Sequence, residues 1–100
     1  MPHFFIQKEI ANQDILKLKG FRFRKGESVF TVKEIFQSPE KDAYLLRIAA
    51  VDRDYLQTFF LLVARHEKNF IVKIDAGFQP YRTPAVKLAV EKISNRLEEN

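Results

Sequence analysis

Cysteine is absent from the 100 residues, which removes disulfide frameworks, cysteine-ligated zinc and a thiol nucleophile at once. Glycine occurs three times, at Gly20, Gly26 and Gly77, too sparsely for a Walker-type loop or a dinucleotide fingerprint. The two histidines, His3 and His66, stand at no metal-site spacing from a second ligand and read as surface or element-end residues. Ser28, Ser38 and Ser94 lie in no nucleophile-elbow setting. Long apolar runs are also missing. The longest, Phe59 to Ala64, has six residues against the roughly 20 that a spanning helix needs. Near the start, Phe4-Phe5-Ile6 is followed closely by Lys8 and Glu9, which does not make a secretory leader. These absences point to a cytoplasmic protein with no cofactor, no metal, no membrane segment and no recognisable catalytic apparatus.

What is present is apolar and aromatic: 46% of residues are hydrophobic, 30% are charged and phenylalanine is used ten times. That balance belongs to a globular chain, and 100 residues suit a single α+β domain, residues 1–100. No repeat or linker-like tract divides it. The net charge of +4 is unevenly spread. Lys17, Lys19, Arg22, Arg24 and Lys25 place five cations in nine residues with no acid among them. Removing those five from the 17 bases leaves 12 against 13 acids, so this one segment carries the basic character.

The patterning predicts a sheet and at least one helix. Phe4 to Ile10 reads as a short strand, and Ala11 to Asp14 as a polar connection. Leu16 to Lys19 and Phe21 to Arg24 each alternate apolar and basic, out of phase across Gly20. A bulge at Gly20 would bring the cations to one strand face; a turn there would separate two strands. Lys25-Gly26-Glu27 predicts a tight hairpin, Val29 to Phe36 its return strand, and Tyr44 to Val51 a central strand apolar on both faces apart from Arg47. Ser38 to Asp42 is loop-like. Residues 54–66 admit a second helix: Tyr55, Leu56, Phe59, Phe60, Leu62 and Val63 share one helical face, with Asp52 and Asp54 before it and Arg65, His66 and Lys68 at its end. A strand over Tyr55 to Ala64 fits too, with the sheet then a meander forming a half-barrel around the last helix. Phe70 to Ile74 is a strand. Thr83 is a natural N-cap with Pro84 at the first helical position, and Val86, Ala89, Val90, Ile93 and Leu97 form the buried stripe of a helix ending near Glu98. The fold class is α+β: an antiparallel or mixed sheet of four to six strands packed by a C-terminal amphipathic helix.

Three features bear on function. Cations at alternate positions of a strand repeat every ~6.6 Å, a spacing that suits successive phosphates; the same charges would also keep an edge strand from pairing with other chains. Asp52 and Asp54 form an Asp-x-Asp pair, which suits a turn or helix start better than a cation. Arg82 and Thr83, with Tyr81, precede the free amides of the last helix, a weak anion site.

Lys19-Gly20-Phe21-Arg22-Phe23 superficially resembles the first half of the RNP1 signature of the RNA-recognition motif. Arg22, Arg24 and Gly26 break that signature, and too few residues separate it from Phe4-Phe5-Ile6 for the intervening helix and strand. Two readings follow for a non-enzymatic binding domain. One contacts RNA or DNA phosphates through Lys17, Lys19, Arg22, Arg24 and Lys25, without base readout. The other is a protein-interaction or homo-oligomeric assembly module, which joins a partner protein or a second copy.

Overall fold

The computed structural model describes residues 4–40, 42–67, 69–75, 77 and 79–99. His3 and Lys68, named above, lie outside them, as does Lys41 of the 38–42 segment. The elements run β1 (Phe4–Ile6), α1 (Asn12–Leu16), β2 (Arg22–Lys25), β3 (Ser28–Gln37), β4 (Ala43–Asp52), β5 (Tyr55–His66), β6 (Asn69–Ile74) and α2 (Pro84–Glu99). The six strands form one antiparallel sheet in the order β1-β6-β5-β4-β3-β2. It is the α+β class expected, a sheet packed by a C-terminal helix.

Alternation divides the sheet into two faces. Phe30 and Val32, then Tyr44, Leu46, Ile48 and Ala50, then Phe59, Leu61 and Val63, then Phe70, Val72 and Ile74 are all buried on the inner face. The α2 stripe, with Val86, Ala89, Ile93 and Leu97 fully buried, closes over them. No other described element lies on the opposite, outer face, which carries Leu45, Arg47, Ala49 and Val51 of β4 beside Leu56, Thr58, Phe60 and Leu62 of β5.

Residues 54–66 are a strand, not a second helix. Their apolar residues fill both faces because β5 lies between β4 and β6: Phe59 and Leu61 meet the core, while Phe60 and Leu62 pack beside outer-face neighbours of β4. Apolar residues on both faces also satisfy a helical wheel, although only inner-face ones are buried. The acids read as a helix start form the β4–β5 hairpin instead, with Arg53 at φ 54°. The strand beginning at Phe4 stops at Ile6, and part of the 11–14 connection is helical.

The Gly20 bulge is corrected as well. Lys17 is the C-cap of α1, and Leu18 to Gly20 continue as turn. Ile15 and Leu18, three residues apart, are both buried, so helical spacing rather than alternation organises that stretch. Gly20 adopts φ +86° as the chain turns into β2, and its N–H donates to Val32 O at 2.8 Å. The bulge lies across the hairpin on β3, where the β3–β4 register shifts between Val32 and Glu34. Lys33 is the extra residue.

Candidate nucleic-acid interface

Strand β2 is an edge of the sheet. Phe23 pairs with Phe30 on the inner face, whereas Arg22 opposes Thr31 and Arg24 opposes Val29 on the outer face. Phe21 and Phe23 pack against the core, and α2 sets Arg96 5.0 Å from the Phe21 ring centre and Lys92 Nζ 4.7 Å from that of Phe23. These two phenylalanines are therefore structural. Beyond β2, the Lys25–Ser28 hairpin turns through Gly26 at φ +62°, the first loop position, where positive φ is needed.

The five cations are separated by the fold. Arg22 and Arg24 share the outer face of β2; Lys17 and Lys19 are exposed in the turn before it; Lys25 closes the strand on the parity of Phe23. No single row holds all five. The fold instead joins Arg22 to two cations that sequence reasoning did not assign to the site. Arg22, Lys33 and Arg47 line one open trough of ≈ 460 Å³, together with Thr31, Thr58 and the small floor residue Ala49. Lys33 reaches this face through the bulge, which puts consecutive residues on one side of a strand. Arg47 had one legible signal, as the lone charge in an otherwise apolar strand; Lys33 had none. The trough's neighbouring acid, Glu34, is held by Arg47, Nε to Oε1 at 2.8 Å.

The weak anion site before α2 already has a carboxylate. Asp52 Oδ1 accepts the Ala85 N–H at 2.9 Å and the Ser28 hydroxyl at 2.8 Å. Burial pushes the Asp52 carboxyl up, but the neighbouring Thr83 hydroxyl and the hydrogen bonds from Ser28 and Ala85 outweigh it and hold the group below its usual range. Thr83 keeps the N-cap position through its carbonyl, which accepts the Lys87 N–H at 3.1 Å. An anion arriving at Arg82 and Thr83 would meet the Asp52 charge. Asp52 and Asp54 thus serve a helix start and a hairpin, and no group of three metal-type ligands occurs among the described residues.

On the same flank, Gln57 fastens the segment before α2 to β5. Its side-chain amide donates to Tyr81 O at 2.9 Å and to Thr83 Oγ1 at 3.2 Å, and its Oε1 accepts Tyr81 N–H at 3.1 Å.

Comparison with known proteins gives one informative match. Over 98 residues the chain is 26% identical to a tRNA (guanine-N(7)-)-methyltransferase of Thermotoga maritima. The match takes in 97% of this chain but 30% of that enzyme's length. No family model and no solved structure matches. The match overturns the reading of the chain as a non-enzymatic binding domain: its similarity runs to a segment of an enzyme. That segment's similarity was invisible to motif reasoning because none of the catalytic motifs considered occurs in these residues. Among the described residues no helix is long and apolar enough to cross a membrane.

Proposed function

We propose that this chain is the substrate-holding part of an RNA-modifying enzyme of the tRNA-methyltransferase kind, acting in the cytoplasm. The observation that carries the reading is the match along nearly the whole chain to such an enzyme. The outer-face cations support it. Arg22, Arg24 and Lys33 give phosphates a cationic track on the sheet, with Arg47 beside them balanced by Glu34, and Lys17, Lys19 and Lys25 extend the positive field around its edge. The threonines and small residues of the trough leave room for a backbone without defining a base, so the contact is to RNA shape and charge more than to sequence.

The test is fluorescence anisotropy of labelled tRNA at two salt concentrations, with wild type beside an Arg22→Glu/Arg24→Glu variant that circular dichroism shows to be folded. Binding should weaken as salt rises, with a log–log slope of several units if several phosphates are contacted, and should fall at least about tenfold in the variant, as expected when two cations become two anions. No binding at low salt, or salt-insensitive binding, would overturn the proposal.

A further inference from the structure

Beside the basic trough lies a second, aromatic site. Tyr55 opens β5 and Tyr81 stands before α2; their ring centres are 6.3 Å apart, inclined at 56°. Both are exposed, Tyr55 at 44% and Tyr81 at 74%. An open cleft of ≈ 360 Å³ is lined by the two rings with Gln57, Thr58, Gln79 and Pro80. Thr58 also lines the trough, so the two concavities meet at one residue.

Tyr81 is held firmly for a residue outside regular structure. Gln57 engages both its N–H and its carbonyl, which imitates a strand pairing and fixes the backbone that carries the ring. A phenol fixed in place yet three-quarters exposed leaves apolar area in water that a partner can cover. The neighbouring charges are Arg82, next to Tyr81, and Asp54, next to Tyr55. Thr58 lies three residues along β5 from Tyr55, ~10 Å in an extended strand, and on the opposite face. Tyr55 has the inner parity of Phe59, whereas Thr58 has the outer parity of the trough, so cleft and trough meet around the flank of β5 that precedes its pairing with β6 at Leu61.

We propose that Tyr55 and Tyr81 stack unpaired bases of an RNA strand whose phosphates run through the Arg22–Lys33–Arg47 trough. The assignment rests on the RNA reading above and adds to it a preference for single-stranded over duplex segments. Stacking on an aromatic side chain needs a base whose face is free, and in an A-form helix those faces are covered by neighbouring bases. The pairing of a cationic groove with adjacent aromatic platforms is the general physical means of holding single strands without reading their sequence.

The experiment uses the full chain with a fluorescein-labelled 12-nucleotide unpaired RNA and the same sequence as a duplex, comparing wild type, Tyr55→Ala, Tyr81→Ala, Tyr81→Phe and Arg22→Glu/Arg24→Glu, each checked by circular dichroism. The unpaired strand should bind more tightly than the duplex. Each alanine variant should weaken it at least about fivefold, the lower end of what one stacked base contributes, while Tyr81→Phe keeps the ring and stays within about twofold. Equal affinity for the two RNAs, or unchanged single-strand binding in both alanine variants, overturns the tyrosine assignment. If the arginine variant still loses binding in that case, the RNA reading survives alone. Failure of the wild type to bind either RNA removes both.

Discussion

Replacing Asp52 with alanine should destabilise the protein through three separate losses. The Ala85 N–H, in the first turn of α2, loses its acceptor, a capping loss of about 1 kcal/mol. The helix loses a carboxylate near the positive end of its dipole, ~0.3–1 kcal/mol. The half-buried hydroxyl of Ser28 loses its partner, about 0.5–1 kcal/mol. The sum is about 2–3 kcal/mol, which for a domain of this size lowers Tm by roughly 8 °C or more. Asp52→Asn separates charge from geometry: the amide keeps an acceptor oxygen for Ala85, so about 1 kcal/mol should be lost.

The pH dependence fixes the sign. The folded-state carboxyl of Asp52 is held below its ordinary value, so its contribution is complete above the unfolded value of roughly pH 4 and is lost as pH falls through the folded value. Urea unfolding followed by far-ultraviolet circular dichroism should therefore give a gap between wild type and Asp52→Asn that is full at pH 7 and closes in acid. Equal stability of all three proteins at pH 7 would refute the capping argument. A gap that persists below the folded value would show that charge is not its source.

Three further outcomes follow from other parts of the fold. Phe59, fully buried and opposite Ile48, should cost about 3–5 kcal/mol as alanine, measured by urea unfolding, and much less as leucine, which fills most of the space. Glu67 adopts φ 58°, so Glu67→Gly should relieve left-handed strain and raise stability by about 0.5 kcal/mol after the added freedom of the unfolded chain is counted; a lower Tm would contradict this. Reversing Arg22 and Arg24 should reduce tRNA affinity at least about tenfold while leaving the unfolding midpoint nearly unchanged, since both side chains are exposed.

The last helix was legible because its signals are local: a Thr-Pro start and apolar residues at helical spacing need no tertiary information. The Lys25–Gly26–Glu27 hairpin was legible for the same reason. Residues 54–66 resisted because strand periodicity is legible only when the solvent-facing side is polar. In β5 the outer face carries Leu56, Phe60 and Leu62, partly exposed, while Phe59 and Leu61 fill the core, so the apolar–polar alternation that marks a half-exposed strand is erased. The segment around Lys17 misled in the opposite sense, since Leu16 and Leu18 alternate with lysines although the buried pair is Ile15 and Leu18. Of the interface, Arg22 and Arg24 were within reach of sequence. Lys33 and Arg47 join them only through strand pairing and a bulge, which depend on residues far apart in the chain.

The sheet order also bears on how the chain reaches this state. From β2 to β6 each strand pairs with the one just made, through hairpins that close quickly and at little loop cost. The inner face of that meander remains uncovered until α2, last of the described elements, folds across it, and β1 must wait for β6, the partner that places Phe4 against Val72 and Ile6 against Phe70. During synthesis a nearly complete sheet therefore exposes Phe30, Phe59 and Phe70 to the surroundings for the time needed to make residues 84–99. At ribosomal rates that is about one to three seconds. Interruption in that window leaves a long apolar surface with its hydrogen-bonding edges open, so the hazard is greatest between completion of β6 and the arrival of α2.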